Sequence, residues 1–246
     1  MNNLSFQKIK DEKSYKDVFG AYLLEGAEFD LDCGYDIPFT NVPNKIDIPD
    51  QLVSYEKIDQ KNMLIGKSYC HFYLDDYKFD GTYGVWNTLV WNRYFQKGFN
   101  INKLKNIDGI ICPDYSNYND MPKVMQIWNV YRSRTVGYFF NSRGLTAIPN
   151  VRWTDESSYI YAFAGLKKGS VVAVSTLGCL RNKIDNKLFM DGLEELIKRI
   201  NPSIILIYGN VNESIIKIFT SYNQNYKVYP SDISLAYKEK LHGNEG

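Results

Sequence analysis

Histidine is nearly absent from this chain, with His71 and His242 the only two in 246 residues. A Ser-His-Asp or Cys-His nucleophile system needs an imidazole beside its nucleophile, so that chemistry would rest on His71 alone. His71 lies inside an aromatic run, where a buried, satisfied histidine is expected. Cysteine is scarce as well. Cys33, Cys70, Cys112 and Cys179 are far apart, with no Cys-x-x-Cys pair, which argues against a zinc ribbon or finger. Cys112 and Cys179 read as small buried hydrophobes.

Charge of one sign is missing too: 29 basic residues face 28 acidic ones, for a formal net charge of +1. Proteins that grip duplex phosphates usually show a basic segment, and none is visible. A patch assembled from Lys167, Lys168, Arg181, Lys183 and Lys187 keeps nucleic acid open as a partner. No apolar run reaches the roughly 18 residues of a membrane span, and no basic segment followed by an apolar one opens the chain. A cytoplasmic protein without a membrane partner is expected. Glycine loops for phosphate are also wanting, since the stretches around Gly178 and Gly209 match neither the Walker pattern nor the dinucleotide fingerprint.

What is present is an ordinary globular balance, 44% hydrophobic and 23% charged, enough for a sizeable core. Short apolar runs alternate with amphipathic stretches, and that rhythm predicts an α/β fold. The sheet should be parallel or mostly parallel with flanking helices, a compact or incomplete TIM-like barrel being one form of it. Residues 1–62 read as an extended arm packed on the main domain, because Pro38, Pro43 and Pro49 recur among apolar side chains such as Ile37, Phe39 and Ile48. A short helix is expected over 14–24. Residues 63–237 form the α/β domain, and 238–246 a frayed tail.

Within that domain, strands are expected at 68–80, 107–112, 145–153, 170–178, 203–209 and 226–229. Helices are expected at 85–95, from about 121 to Gly144, at 187–200 and at 212–222. The second has Met121, Val124, Met125, Trp128 and Tyr131 at helical spacing, which predicts a core-facing stripe. Asp75 and Asp76 end the first strand, so alternation allows at most one of them to face a ligand.

Ligands of parallel α/β proteins bind at the carboxyl ends of the strands. The residues falling there are Asp75, Asp76 and Asp80, then Asp114 and Ser116, then Asn150, Arg152 and Trp153, then Ser175, Thr176 and Gly178, and finally Gly209 and Asn210. Carboxylate, guanidinium, hydroxyl and indole together compose a polar small-molecule site. Each also has a plain structural use: Asp114 can turn the chain, Ser175 and Thr176 can satisfy loop amides, and Arg152 can pair with Asp155 or Asp114. Asp76 and Asp114, on strands ~4.8 Å apart, could hold a divalent metal or act as acid and base.

The chain resembles a family of phage and mobile-element proteins from Gram-positive bacteria, domain-of-unknown-function family 4417. The resemblance rests on HFYLDDY at 71–77, PDYS at 113–116, DMP at 120–122, IPNVRW at 148–153, VAVSTLG at 172–178 and YG at 208–209. These pieces run in order from about residue 35 to 210. One departure is visible, where the family tends to Phe-Glu-Arg-Trp and this chain has Phe79 followed by Asp80, Gly81 and Thr82. The resemblance implies a mobile-element setting and supplies no activity.

The reading that results is an enzyme or binding protein for a nucleotide-like or other anionic ligand. Asp76, Asp114 and Ser175 are its candidate catalytic residues; Asn150, Arg152, Trp153, Thr176, Gly178 and Gly209 are its candidate ligand contacts. Arg152 would hold the anion, whose shape suits a guanidinium fork, and Asp114 would be the acid/base or metal ligand. Two other classes stay open: a non-catalytic replication or DNA-associated accessory protein, and an inhibitor of a host protein.

Overall fold

The computed structural model describes residues 18–59, 64–91, 104 and 106–236. The first part of the helix expected at 14–24, the end of that expected at 85–95 and the tail from 238 lie outside the described residues. A single 3-10 turn, Ala21–Leu24, is what the first of these shows, followed by a small antiparallel hairpin of β1 (Phe29–Asp30) and β2 (Ile37–Pro38).

Seven parallel strands carry the fold. β3 (Gln51–Ser54), β4 (Ser68–His71), β5 (Gly109–Ile111) and β6 (Thr146–Ile148) form one sheet in that order, and β7 (Val172–Ser175), β8 (Ile205–Tyr208) and β9 (Tyr226–Tyr229) form another. β3 lies within the proline-punctuated stretch read as an arm. A parallel bridge between Asn150 and Ala173 joins the two sheets just beyond β6.

Side-chain alternation assigns the two faces. Tyr69, Ile111, Ile148, Ala173, Leu206, Tyr208 and Tyr229, drawn from both sheets, pack into one buried cluster, so the strands curve around a shared interior. The intervening residues face outward: Cys70, Ile110 and Ala147 toward one layer of helices, and Val172, Val174, Ile205 and Ile207 toward another. The barrel is incomplete. No ladder joins β3 to β9 among the described residues; the seam is instead held by Tyr229 Oη and Lys227 Nζ, each donating to the Pro49 carbonyl at 2.6 Å. Thus the fold is α/β, with parallel sheets flanked by helices.

The helices are α1 (Asp76–Asp80), α2 (Val85–Trp91), α3 (Lys123–Asn141), α4 (Tyr159–Ala162), α5 (Lys183–Ile200) and α6 (Glu213–Ser221). α5 follows its sequence closely. The Asn182 side chain accepts from the Ile184 and Asp185 amides at its start, Phe189, Leu193, Leu196, Ile197 and Ile200 are buried, and Asn201 ends it in the left-handed region at φ +46°. Gly192 on its buried face is required by close approach, because a Cβ there would run into the Trp153 indole. No helix among the described residues is long and apolar enough to cross a membrane.

Two elements depart from expectation where they meet the strand ends. β4 stops at His71, and the chain turns so that Asp75 precedes the short helix α1, its carbonyl accepting from the Lys78 amide at 2.8 Å. Aromatic residues had suggested a longer strand, but an acidic pair before a helical turn complements that turn's amide end. In α3 the expected stripe is turned outward: Val124, Met125 and Trp128 are exposed, while Gln126, Asn129, Ser133 and Arg134 are buried.

Candidate functional site

Ser54, His71, Ile111 and Ile148 end their strands in one register, as do Ser175, Tyr208 and Tyr229. The segments that follow therefore share one rim of the barrel. Asp114 lies two residues past Cys112 on this rim, and Asn150 and Arg152 follow β6 on the neighbouring strand.

Those three side chains form one unit. Asn150 Nδ2 donates to Asp114 Oδ1 at 2.8 Å, and Arg152 NH1 donates to Asp114 Oδ2 at 2.9 Å. Both members of the ion pair are largely buried, with side-chain exposures of 21% for Arg152 and 12% for Asp114. Burial pushes the Asp114 carboxyl above the usual range; Arg152 and Asn150 oppose that push and the nearby Asp76 carboxylate adds to it. Arg152 is held more firmly protonated, chiefly by Asp114. It spends one amino group on this pair, and no other hydrogen-bond partner for its guanidinium appears among the described residues.

A second cluster adjoins the first. Arg132 reaches from α3 to Asp80 and to Asp76, the latter at 3.5 Å, donates to Asn129 Oδ1 at 2.5 Å, and lies 3.8 Å over the Tyr115 ring. Asp76 Oδ1 also accepts from the Ser116 amide at 3.3 Å and the Ser116 hydroxyl at 3.4 Å. Asp75 points elsewhere, pairing with Lys78 at 3.7 Å. Burial raises the Asp80 carboxyl as it does Asp114, against the pull of Arg132.

Between the clusters is a depression lined by Asp114, Asn117, Asn129, Ser133, Asn150 and Arg152, with a volume of about 10 Å³. That is room for about one water molecule. Among the described residues there is no group of three or more His, Cys, Asp or Glu side chains placed to hold a metal ion.

The remaining sequence candidates lie toward β7 and β8. Ser175 Oγ accepts from the Leu177 amide at 3.2 Å, and the Thr176 amide donates to the Tyr208 carbonyl at 3.0 Å. Gly178 has φ +79°, and Gly209 has φ +121°, with its Cα against Thr176 Oγ1 where a Cβ would collide. Trp153 donates from Nε1 to the Leu188 carbonyl at 3.1 Å and stacks on Phe189 with centroids 5.3 Å apart. The structure thus brings Asp76, Asp114, Asn150 and Arg152 to one rim. No hydrogen bond connects Ser175, Thr176, Gly178, Gly209 or Trp153 to them among the described residues.

Sequence reasoning missed Arg132, Asn129 and Tyr73. A signal was available for Asn129, since Gln126, Asn129 and Ser133 recur at helical spacing as a polar stripe, and Arg132 lies one turn from Asn129 beside it. Tyr73 carried no such signal, since it is one of 20 tyrosines and follows an aromatic strand.

Two phage proteins are similar to this chain. One is the "Gene 1 protein" of Mycobacterium phage L5, 36% identical over 141 residues, which is 57% of this chain and 57% of that protein. The other is the "Gene 1 protein" of Mycobacterium phage D29, 33% identical over 141 residues, 57% of this chain and 48% of that protein. The chain spans about half the length of these curated relatives. No solved structure matches it. The profile of one family, described as a domain of unknown function (DUF4417), matches residues 29–227, from the first hairpin to the last strand, and the chain belongs to that family.

Proposed function

We propose that the protein binds a small anionic, nucleotide-like ligand at the carboxyl rim of its barrel. Arg152 engages the anionic group and Asp114 accepts a hydrogen from, or exchanges a proton with, the group beside it. The observation that carries this reading is the largely buried Asp114–Arg152 pair, in which the guanidinium keeps donors unspent among the described residues. A guanidinium with spare N–H groups can meet phosphate or carboxylate in a bidentate manner. A buried carboxyl beside a ligand can accept a hydrogen bond from it or exchange a proton with it. Asp76, held by Ser116 and Arg132, borders the same rim and tunes Asp114 through its charge. The phage origin of the relatives favours a nucleotide-like anion over a sugar or simple acid.

The test is titration calorimetry of wild type, Arg152→Ala and Asp114→Asn with mononucleotides and sugar phosphates. Binding by wild type that both variants lose, while remaining folded, supports the reading; equal binding by all three contradicts it.

A further inference from the structure

The rim is wired inward as well as outward. Tyr73, two residues past the end of β4, donates from its hydroxyl to Asn150 Oδ1 at 3.1 Å. The Asn150 amide then presents its NH2 to Asp114 Oδ1 at 2.8 Å. Only one orientation of that amide serves both neighbours. Turned over, it would set a carbonyl oxygen against the carboxylate, two acceptors with no hydrogen between them. The phenol keeps its proton and so stays a donor, since burial, with Asp114 nearby, raises its pKa well above the ordinary tyrosine value.

Tyr73 is itself held in place. Its ring stacks on Tyr208 with centroids 4.3 Å apart and an interplanar angle of 11°, and its amide donates to His71 Nδ1 at 3.4 Å. The Tyr208 hydroxyl accepts from the Asp232 amide at 3.0 Å. The Asn150 backbone is fixed too, since its carbonyl accepts from Arg134 NH1 at 3.0 Å. Every rotatable part of the relay thus has a partner.

We propose that Tyr73 is a positioning residue for Asp114: its hydroxyl locks the Asn150 amide so that Asp114 is kept a hydrogen-bond acceptor toward whatever occupies the rim. With Arg152 on Oδ2 and Asn150 on Oδ1, both carboxylate oxygens receive donors from the protein, which favour the anion against the effect of burial. Its remaining lone pairs accept from a ligand hydroxyl or N–H, so Asp114 acts as a base. The ligand accordingly presents a hydrogen-bond donor to Asp114 next to the anionic group it presents to Arg152. This inference rests on the proposed ligand site, yet its test needs no ligand, so the two can fail separately.

Among the described residues, the charged and titratable groups around Asp114 include Arg152 beyond β6, Asp76 at the start of α1, Tyr73 beyond β4, Cys179 beyond β7, and Tyr115 beyond β5 and Arg134 of α3, which line the same depression. The experiment is a carbon-13 titration of aspartate side-chain carboxyls in the ligand-free full chain, with Asp114→Asn assigning the resonance. Tyr73→Phe keeps the stacked ring and loses only the hydroxyl. It is expected to raise the Asp114 midpoint by about one pH unit and to shift the Asn150 side-chain amide resonances. Asn150→Leu should raise the midpoint at least as far, and adding Tyr73→Phe to it should change nothing more. An unchanged midpoint in Tyr73→Phe overturns the proposal, as does a Tyr73→Phe effect that persists in full without Asn150. Should Asn150→Leu fail to fold, the Tyr73→Phe titration and the Asn150 amide shift decide alone.

Discussion

Arg152 and Asp114, 38 positions apart in the chain, meet at 2.9 Å because β5 and β6 are adjacent parallel strands that end in register. Their pairing makes the rim polar without making it strongly charged. Removing one partner leaves the other partly buried and uncompensated, which is costlier than removing an exposed pair.

Asp114→Asn is accordingly expected to cost roughly 1–2 kcal/mol, with the fold retained, because the amide keeps the side chain's shape and one acceptor for Arg152. Urea denaturation followed by circular dichroism measures it. A loss of cooperative unfolding would show that the pair is needed for folding itself.

The same group gives stability a defined pH dependence. The Asp114 carboxyl is raised in the folded protein by burial, above its ordinary value of 3.8. The folded state therefore binds that proton more tightly than the unfolded chain, so the contribution is fully present below the unfolded value and is lost as pH rises through the folded one. Asp114→Asn should remove this fall on the alkaline side of the carboxylate range, as read from unfolding free energies at closely spaced pH values. Asp80, raised for the same reason, retains its own share.

His71 acts with the opposite sign. The residue is 1% exposed, its Nε2 has no hydrogen-bond partner among the described residues, and burial lowers its pKa from 6.5 to about 4, Asp232 opposing and Lys57 assisting. Stability from the neutral ring is fully present above 6.5 and lost as pH falls toward 4, by roughly 3 kcal/mol if the full shift is realised. His71→Asn should flatten most of that slope. A slope that persists unchanged in the variant would place its origin elsewhere.

Arg134 is a buried cation whose hydrogen bonds among the described residues all go to carbonyls. It donates from Nε to Ala164, from NH1 to Asn150 and from NH2 to Ala162, at 2.9, 3.0 and 2.8 Å. Arg134→Met would leave three buried acceptors unpaired, at an expected cost of about 3–5 kcal/mol. A lysine cannot span three carbonyls with one ammonium, so Arg134→Lys should recover less than half of the loss in chemical denaturation.

These costs bear on what could be read from the sequence. The parallel α/β pattern, the strands around Ile110, Val172 and Ile205, and the apolar stripe and end of α5 were legible, since period is a local property, whereas α5 begins at Lys183, ahead of the start expected at 187. Asp114, Asn150 and Arg152 were legible as strand-end residues, because parallel strands place their followers on one rim. β3 was not, as the prolines at 38, 43 and 49 masked a four-residue strand. The facing of α3 was not either. Periodicity assumes an apolar interior, whereas part of what α3 covers is polar backbone: Arg134 donates to the carbonyls of 162 and 164, Asn129 to that of 116 and Ser133 to that of 113.

That inversion is measurable. Val124→Ser and Met125→Ser, on the stripe that spacing alone assigns to the core, should each change stability by less than about 0.5 kcal/mol. Val136→Ala, at a fully buried position of the same helix, should cost about 1–3 kcal/mol. Equal costs at both sites would mean that the helix packs the other way round.

The central claim is that Arg152 and Asp114 form the ligand-holding edge of the barrel, and a thermal-shift comparison tests it most directly. Wild type, Arg152→Ala and Asp114→Asn are heated with nucleotides, sugar phosphates, inorganic phosphate and short oligonucleotides. A ligand at 100 times its dissociation constant adds ~2.7 kcal/mol, a shift of several degrees. The account predicts stabilisation of wild type by a small anion carrying a hydrogen-bond donor, and its loss in both variants; stabilisation that survives in both, or that only oligonucleotides produce, contradicts it.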